Sequence, residues 1–162
     1  MQKSKVFTIG LLDKYHLYIP AEIVEQFPEE KRGRFKIKCM HQSQSIVIYA
    51  ALRKDKNRGD YRMMFSNANQ KTLGLFLNDY FELQLIEDTS KYGVDMPEEL
   101  EEVFKFDPEA KVIFESQTAG KKRSIIYVIK RTKSIQSRVD KALLLCNNLK
   151  RGITDQKLLF KS

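Results

Sequence analysis

The chain repeats one pattern of apolar and turn-forming residues at a fixed distance of 46 positions. Without a gap, residues 15–19 align with 61–65, and residues 33–37 align with 79–83. Each copy predicts a strand, a short helix and a second strand in which apolar residues alternate. Because two such copies can pair with each other, the repeat predicts a closed β-barrel with a pseudo-twofold axis.

Turn-forming residues stand at equivalent places in both copies. In the first copy, Pro20 suits the first turn of a helix, where its missing N–H has no effect on the hydrogen bonding. In the second, residues 66–67 can cap a helix and Gly74 suits the left-handed position that closes it. Further strands are predicted at residues 6–12 and 45–52. The whole arrangement looks like the double-split barrel of the AbrB-type DNA-binding proteins, in which two short chains each contribute half of the barrel. Since one chain holds both halves here, the resemblance implies a barrel that closes as a monomer.

From residue 93 the spacing of apolar residues changes to that of helices. Asp95 and Pro97 mark a helix start with carboxylates in the first turn, and Asp107 with Pro108 repeats the signal. Helices are predicted at residues 97–105, 108–116, 119–131 and 134–150. The apolar stripe predicted to be buried in the last helix consists of Ile135, Val139, Ala142, Leu143, Cys146 and Leu149.

The predicted fold class is therefore α+β, with an N-terminal duplicated double-split β-barrel followed by a C-terminal helical bundle. The predicted domains are the barrel at residues 1–92, the helical domain at residues 93–152 and a tail at residues 153–162.

Charge is spread unevenly along the chain. Residues 1–92 carry a net charge of +4, residues 93–120 carry −6 and residues 121–162 carry +10, within a total of +8. This order has two interpretations: the acidic and basic segments pair with each other, or the basic segment binds an anionic partner such as nucleic acid. On the second interpretation, the candidate contact residues are Arg123, Tyr127, Lys130, Arg131, Arg138 and Lys141. Arg53, Lys54 and Arg58 belong to a separate basic loop, which is interpreted either as a solvated hairpin connection or, if the barrel meets nucleic acid, as a further phosphate contact.

No residue pattern typical of catalysis or metal binding is found in the sequence. The two histidines, His16 and His41, have no ligand partner at metal-binding spacing, and no nucleophile motif accompanies them. Cys39 and Cys146 are interpreted as buried thiols, and no glycine-rich phosphate loop is present. These observations predict a non-enzymatic protein with no catalytic residues, no metal and no cofactor. Because no signal peptide or membrane-spanning run is recognised, a cytoplasmic location is expected.

Three stretches resemble the bacterial YdeI/OmpD-associated, or bacteriocin-protection, proteins. They are residues 18–23, residues 73–100 with the sequence Met-Pro-Glu-Glu-Leu at their end, and residues 118–143. The resemblance implies a barrel domain of unknown function before a helical domain, and a link to protection against antimicrobial proteins or peptides. The leading hypothesis is a binding or adaptor protein with a protein or peptide partner, and the alternative is a nucleic-acid-binding protein that uses the basic C-terminal helices.

Overall fold

A computed structural model describes all 162 residues of the chain. The chain divides into two compact units, Met1–Thr89 and Ser90–Ser162, each with its own hydrophobic core. The sequence predicts a boundary between residues 92 and 93, close to this division. Six α-helices and two antiparallel sheets give the α+β class that the sequence predicts. No helix has the length and apolar character required to cross a membrane.

The first unit contains all seven strands and two of the helices. Its elements, in chain order, are β1 (Phe7–Gly10), β2 (His16–Ile19), α1 (Ala21–Val24), β3 (Arg34–His41), β4 (Gln44–Ala51), β5 (Arg53–Lys54), β6 (Tyr61–Met64), α2 (Asn67–Leu73) and β7 (Tyr80–Glu87). A single 3-10 turn at Glu29–Lys31 follows α1. All of the predicted strands are present, and α1 is shorter than the sequence predicts.

The strands form two separate antiparallel sheets. One sheet has four strands in the order β1-β7-β3-β4, and the other has three in the order β2-β6-β5. No ladder of hydrogen bonds joins the two sheets into a closed barrel. The closed double-split barrel and its AbrB-like character are therefore unconfirmed.

The strand registers agree with the 46-residue repeat. A shift of 46 maps β3 onto β7 residue for residue, and these two strands are paired directly. In that pair Lys38 lies opposite Gln84, which is its own equivalent under the shift. In the other sheet Leu17 lies opposite Met63, which is again its equivalent. Equivalent strands of the two copies are thus paired antiparallel, β2 with β6 and β3 with β7. In both pairs the residue that faces its own equivalent is separated from it by the same 46 positions.

Local capping explains why α2 begins and ends where it does. The Ser66 hydroxyl accepts a hydrogen bond from the Asn69 backbone N–H, as expected for an N-cap. At the other end Gly74 has φ +65° and its N–H bonds to the last turn, so the predicted left-handed closure is confirmed. Leu73 is buried at this end, which fixes the helix against the core of the first unit.

Aromatic pairs fill the centre of the first core. The rings of Phe27 and Phe35 meet edge to face with 4.8 Å between centroids, and Phe65 stacks on Phe81 at 5.7 Å. The residue after α1 that the repeat aligned with Leu73 is Phe27, and both are buried. The alternation of apolar residues places one face of β2, β3 and β6 in the core.

The second unit consists of four helices. They are α3 (Glu98–Phe106), α4 (Pro108–Glu115), α5 (Ala119–Lys130) and α6 (Ile135–Lys150), each within about a residue or two of the range predicted from capping signals. The caps themselves are confirmed at α4, where Asp107 accepts from the Ala110 N–H, and at α6, where Ser134 accepts from the Ser137 N–H. In α5 the side chains of Ile125, Ile126 and Ile129 are buried.

Residues 153–162, which the sequence separates as a tail, pack onto the second unit. Leu159 is buried in its core, and the Asn148 side chain is buried beside it. The amide nitrogen of Asn148 donates to the carbonyl oxygens of Leu159 and Lys161, each at 2.9 Å. A buried amide that reaches backbone carbonyls satisfies polar groups on both sides, so the segment is held by specific hydrogen bonds.

Candidate binding groove

Three large apolar side chains of the second unit are exposed to solvent although they belong to well-packed helices. Phe106, at the end of α3, is 87% exposed, and on α6 Ile135 is 68% and Leu143 is 54% exposed. Isolated apolar residues on a surface are ordinary, whereas several that share one concave surface indicate a binding site. These three do share one.

A groove of about 750 Å³ runs between α3 and α6. Its apolar lining consists of Val103, Phe106, Ile135, Val139, Leu143 and Cys146. On α6 the residues Ile135, Val139 and Leu143 follow one another at intervals of four, so they lie on the same side of the helix. The volume is within the range of clefts that bind ligands, and the apolar lining can take up a complementary apolar surface.

The buried stripe that the sequence predicts for α6 is wrong in part, because two of its residues line the groove and are exposed. Ala142, Cys146 and Leu149 are buried as predicted, but Ile135 and Leu143 are exposed. Leu145 and Asn148 are buried instead, so the face of α6 that enters the core is rotated away from the predicted one. The run of apolar residues at 142–146 covers more than half of the helix circumference, and only the packing decides which side faces the core.

Carboxylates line the groove in excess over basic groups. Its acidic residues are Glu98, Glu99, Glu102 and Asp107, and its only basic lining residue is Lys150. Three of these acids already face a cation: Glu99 faces Arg138, Asp107 faces Lys150, and exposed Glu102 pairs with Lys105. No ion pair involves Glu98. A solvent-exposed pair such as Glu102–Lys105 is weak and salt-sensitive, so its carboxylate can exchange partners.

The two ion pairs at the groove shift the pKa values of their carboxyl groups. The backbone N–H of Glu99 and then the Arg138 guanidinium hold the pKa of Glu99 below its usual value. The hydrogen bond from Lys150 lowers the pKa of Asp107, and the same contact raises the pKa of Lys150. All of these groups are therefore charged at neutral pH, and the groove keeps its ionic rim.

The acidic and basic segments of the second unit pair with each other at three places. Arg138 Nε lies 2.8 Å from Glu99 Oε1, and Lys150 Nζ lies 2.7 Å from Asp107 Oδ2. The third contact is Lys122 Nζ to Glu115 Oε2, at 3.7 Å. The first of the two interpretations of the charge pattern, pairing within the unit, therefore applies to these residues.

Arg138, a candidate anion contact, is bonded inside the unit through Nε and Nη1. Besides its bond to Glu99, its Nη1 donates to the carbonyl oxygens of Thr132 and Lys133, at 2.9 and 3.0 Å. Its guanidinium holds the loop between α5 and α6 to the start of α3. A phosphate would compete with Glu99 and with these carbonyl oxygens for Nε and Nη1.

The remaining basic candidates of the second unit lie along α5 and α6. Lys130 and Arg131 are exposed at the end of α5, and Arg131 Nε donates to the Tyr127 carbonyl oxygen at 3.2 Å. Tyr127 packs partly against the core. Arg123 and Lys141 are half-exposed, and neither forms an ion pair. None of these side chains lines the groove between α3 and α6.

The candidates of the first unit occupy different surroundings. Lys54 Nζ pairs with Glu25 at 3.0 Å, and Arg58 lies over the Tyr18 ring with 3.9 Å between the guanidinium carbon and the ring centroid. Arg53 lines a small pocket with His16 and Arg62, the latter a residue that the sequence analysis missed. The cross-strand register between β5 and β6 was the missing information, because it places Arg62 beside Arg53.

The histidines and cysteines take structural positions. His41 Nδ1 is 2.7 Å from the Leu73 carbonyl oxygen, and His16 Nδ1 is 3.2 Å from Asp13. Burial raises the pKa of Cys39 to about 12 and that of Cys146 to about 11, so both thiols stay protonated. No group of three His, Cys, Asp or Glu side chains is arranged to hold a metal ion.

Comparison with known families bears on the second unit alone. Residues 93–152 match the OmdA family model, described as "Bacteriocin-protection, YdeI or OmpD-Associated". The resemblance predicted from the sequence is confirmed for this range, which contains both helices of the groove. No curated protein and no solved structure matches the chain.

Proposed function

Since residues 93–152 match the bacteriocin-protection family, we propose that the protein is a non-enzymatic binding protein that takes a helical protein or peptide segment into the α3–α6 groove. The segment has one apolar face and basic residues beside it. The observation that carries the proposal is the exposure of Phe106, Ile135 and Leu143 along one acid-lined groove. A family described by protection against a bacteriocin fits a protein that acts by binding.

The apolar part of the groove matches the contact spacing of a helix. An amphipathic helix presents apolar residues at every third or fourth position, and such helices commonly bind in grooves between two helices. Phe106 stands at one side of the groove and the α6 residues Ile135 and Leu143 at the other, so an apolar stripe between them is covered from both sides. Burying these three side chains supplies the main part of the affinity.

The charge of the groove determines which residues the partner can carry beside its apolar stripe. The carboxylates outnumber the single lysine at this place on a chain whose total charge is +8. Lysine or arginine beside the apolar stripe of the partner can reach Glu98 and the exposed Glu102, whereas acidic flanks are repelled. The same excess of carboxylates opposes nucleic acid and anionic lipid at this groove.

The direct test is binding of synthetic amphipathic 16-residue helices by fluorescence anisotropy. One peptide has a leucine stripe with lysine flanks, and a second has the same stripe with glutamate flanks. The lysine peptide is expected to bind, and the glutamate peptide at least about tenfold more weakly, a difference of roughly 1.4 kcal/mol. Equal binding of both peptides, or of neither, would contradict the proposal.

Two protein variants and their controls locate the site. Phe106→Gln and Glu98→Gln are expected to weaken the lysine peptide. Val112→Gln and Glu109→Gln, which change exposed residues outside the groove, are expected to leave it unchanged. Sedimentation of the protein without peptide tests whether a second copy of the chain occupies the groove instead. If the wild type is a dimer and Phe106→Gln is a monomer, the groove is a dimer interface and the proposal is overturned.

For the first unit we propose descent from a duplicated strand–helix–strand element related to the double-split barrels. The support is the shared shift of 46 residues in the β2–β6 and β3–β7 registers. The nucleic-acid alternative gains no support from the basic helices, because Arg138 and Lys150 are bonded within the second unit.

A further inference from the structure

Two arginines of the first unit lie directly opposite each other on neighbouring strands. Arg53 of β5 and Arg62 of β6 are cross-strand partners, so their side chains project from the same face of the three-stranded sheet. Like charges in this position repel, which makes the pair unfavourable by itself. Neither guanidinium forms an ion pair with a carboxylate.

The neighbouring strand extends this cationic face. Tyr18 of β2 lies opposite Arg62, and the Arg58 guanidinium stacks on the Tyr18 ring at 3.9 Å. His16 is two residues before Tyr18 on the same face. Arg53 and Arg62 are therefore brought by the sheet to one face with His16, which is far from them in the chain, and Arg58 lies beside them on the Tyr18 ring.

The carboxylates near this face already have partners, and two of them, Asp60 and Asp13, are bonded to Arg58 and His16 of the face itself. Asp60 pairs with Arg58 at 3.8 Å, a long contact between two exposed groups. Asp55 accepts the backbone N–H groups of Asn57 and Arg58, which closes the turn between β5 and β6, and Arg62 lowers its pKa only as a lesser influence. Asp13 accepts from His16. No carboxylate lies between Arg53 and Arg62.

The face is concave at this point. A pocket of about 340 Å³ is lined by His16, Arg53 and Arg62 together with the apolar residues Ala51, Met63 and Met64. Guanidinium groups bind phosphate through pairs of parallel N–H bonds, and one phosphate between two of them removes their mutual repulsion. The apolar wall suits a compact organic group attached to that phosphate.

We propose that this pocket binds the phosphate group of a small phosphomonoester. The site is in the first unit and does not depend on the peptide groove of the second. Arg53 and Arg62 hold the phosphate oxygens, and His16 lines the pocket beside them.

The test is calorimetric titration of the full chain with phenyl phosphate and with inorganic phosphate at constant ionic strength. Phenyl phosphate is expected to bind more tightly than inorganic phosphate, with a Kd below about 1 mM. Arg62→Gln and Arg53→Gln are each expected to weaken it at least tenfold. Arg62→Lys, which keeps the charge but loses the forked geometry, is expected to retain part of the affinity.

Arg123→Gln is the matched control, because it removes one positive charge from the second unit. If it weakens phenyl phosphate as much as Arg62→Gln does, the effect is one of total charge and the proposal fails. It also fails if phenyl phosphate does not bind, or if both pocket variants bind it as the wild type does. A labelled single-stranded oligonucleotide tests the other source of phosphate: binding that depends on Arg62, without binding of phenyl phosphate, would assign the pocket to a nucleic-acid backbone instead.

Discussion

Lys150 Nζ lies 2.7 Å from Asp107 Oδ2, so the last residue of α6 is held against the residue that caps α4. The other oxygen of Asp107 accepts the Ala110 N–H at 3.1 Å. One carboxylate therefore performs two separable tasks, a helix cap and an ion pair, at one end of the groove. Substitutions can separate the two.

Asp107→Asn keeps a capping oxygen and loses the charge, whereas Asp107→Ala loses both. We expect Asp107→Ala to lower the free energy of unfolding by about 1 kcal/mol through the cap alone. Asp107→Asn is expected to have a smaller effect. Urea unfolding followed by circular dichroism at pH 7 measures both, and equal losses in the two variants would contradict a capping role.

The same carboxylate predicts a pH dependence. Because the pKa of Asp107 is lower in the folded protein than in the unfolded chain, its charge stabilises the fold fully above the unfolded value, about 3.9. That contribution is lost as the pH falls through the lowered folded pKa. Asp107→Asn should therefore lose less stability than the wild type between neutral and acid pH. The melting temperatures of the two proteins, measured across this pH range, check the prediction. If both fall equally with pH, the charge of Asp107 does not contribute to the pH dependence of stability.

Asn148 fastens residues 153–162 to the second unit. Asn148→Ala leaves the carbonyl oxygens of Leu159 and Lys161 without their donor, and we expect it to destabilise the unit by about 1–3 kcal/mol. Hydrogen exchange at residues 153–162 should become faster at the same time. Asn147→Ala changes an exposed neighbour and serves as the control, with little change in either measurement.

Leu143 and Leu145 are two residues apart on α6, but the first is exposed in the groove and the second is buried in the core. Leu143→Gln is expected to change the free energy of unfolding by no more than about 0.5 kcal/mol, because the side chain is exposed. Leu145→Ala is expected to cost about 2–5 kcal/mol, because it opens a cavity in the core. Chemical unfolding of both variants checks the rotated face of α6, and the reverse order would restore the face predicted from sequence.

Two glycines are expected to respond to alanine with opposite signs. At Gly74, where φ is +65°, Gly74→Ala forces a side chain into the left-handed region and should cost about 1–2 kcal/mol. Gly120 lies in the first turn of α5 with open space around it, so Gly120→Ala should stabilise by about 0.5–1 kcal/mol. Thermal melts measure both, and a neutral Gly74→Ala would exclude strain at that cap.

The boundaries of α2, α4 and α6 were predictable because capping is local. Asp107 with Pro108, and Ser134 before α6, each carry their signal within a few residues, and the structure has both caps. Which face of α6 enters the core could not be predicted from such local signals. Leu143, Leu144 and Leu145 are equally apolar in sequence, and their burial depends on which helices pack beside them.

The groove and the arginine pair could not be predicted for a related reason. Phe106 is exposed because no element covers the end of α3, which is a property of the packing. Arg53 and Arg62 meet through a strand register, and Arg138 meets Glu99 across 39 positions. In each case the sequence shows the side chains but gives no information about their neighbours.

The pairing of β2 with β6 and of β3 with β7, each with its equivalent under the shift of 46, has a consequence for half of the first unit. A chain carrying only one copy of the repeat would expose the edges that pair in the intact unit, with Leu17 and Lys38 each at the centre of one of them. Such an edge is complementary to itself, so two identical half-chains could associate isologously through the same ladders. Joining the copies in one chain makes that association independent of concentration, and it frees each copy to acquire different surface residues. The arginines of β5 and β6 therefore need no counterpart on the first copy.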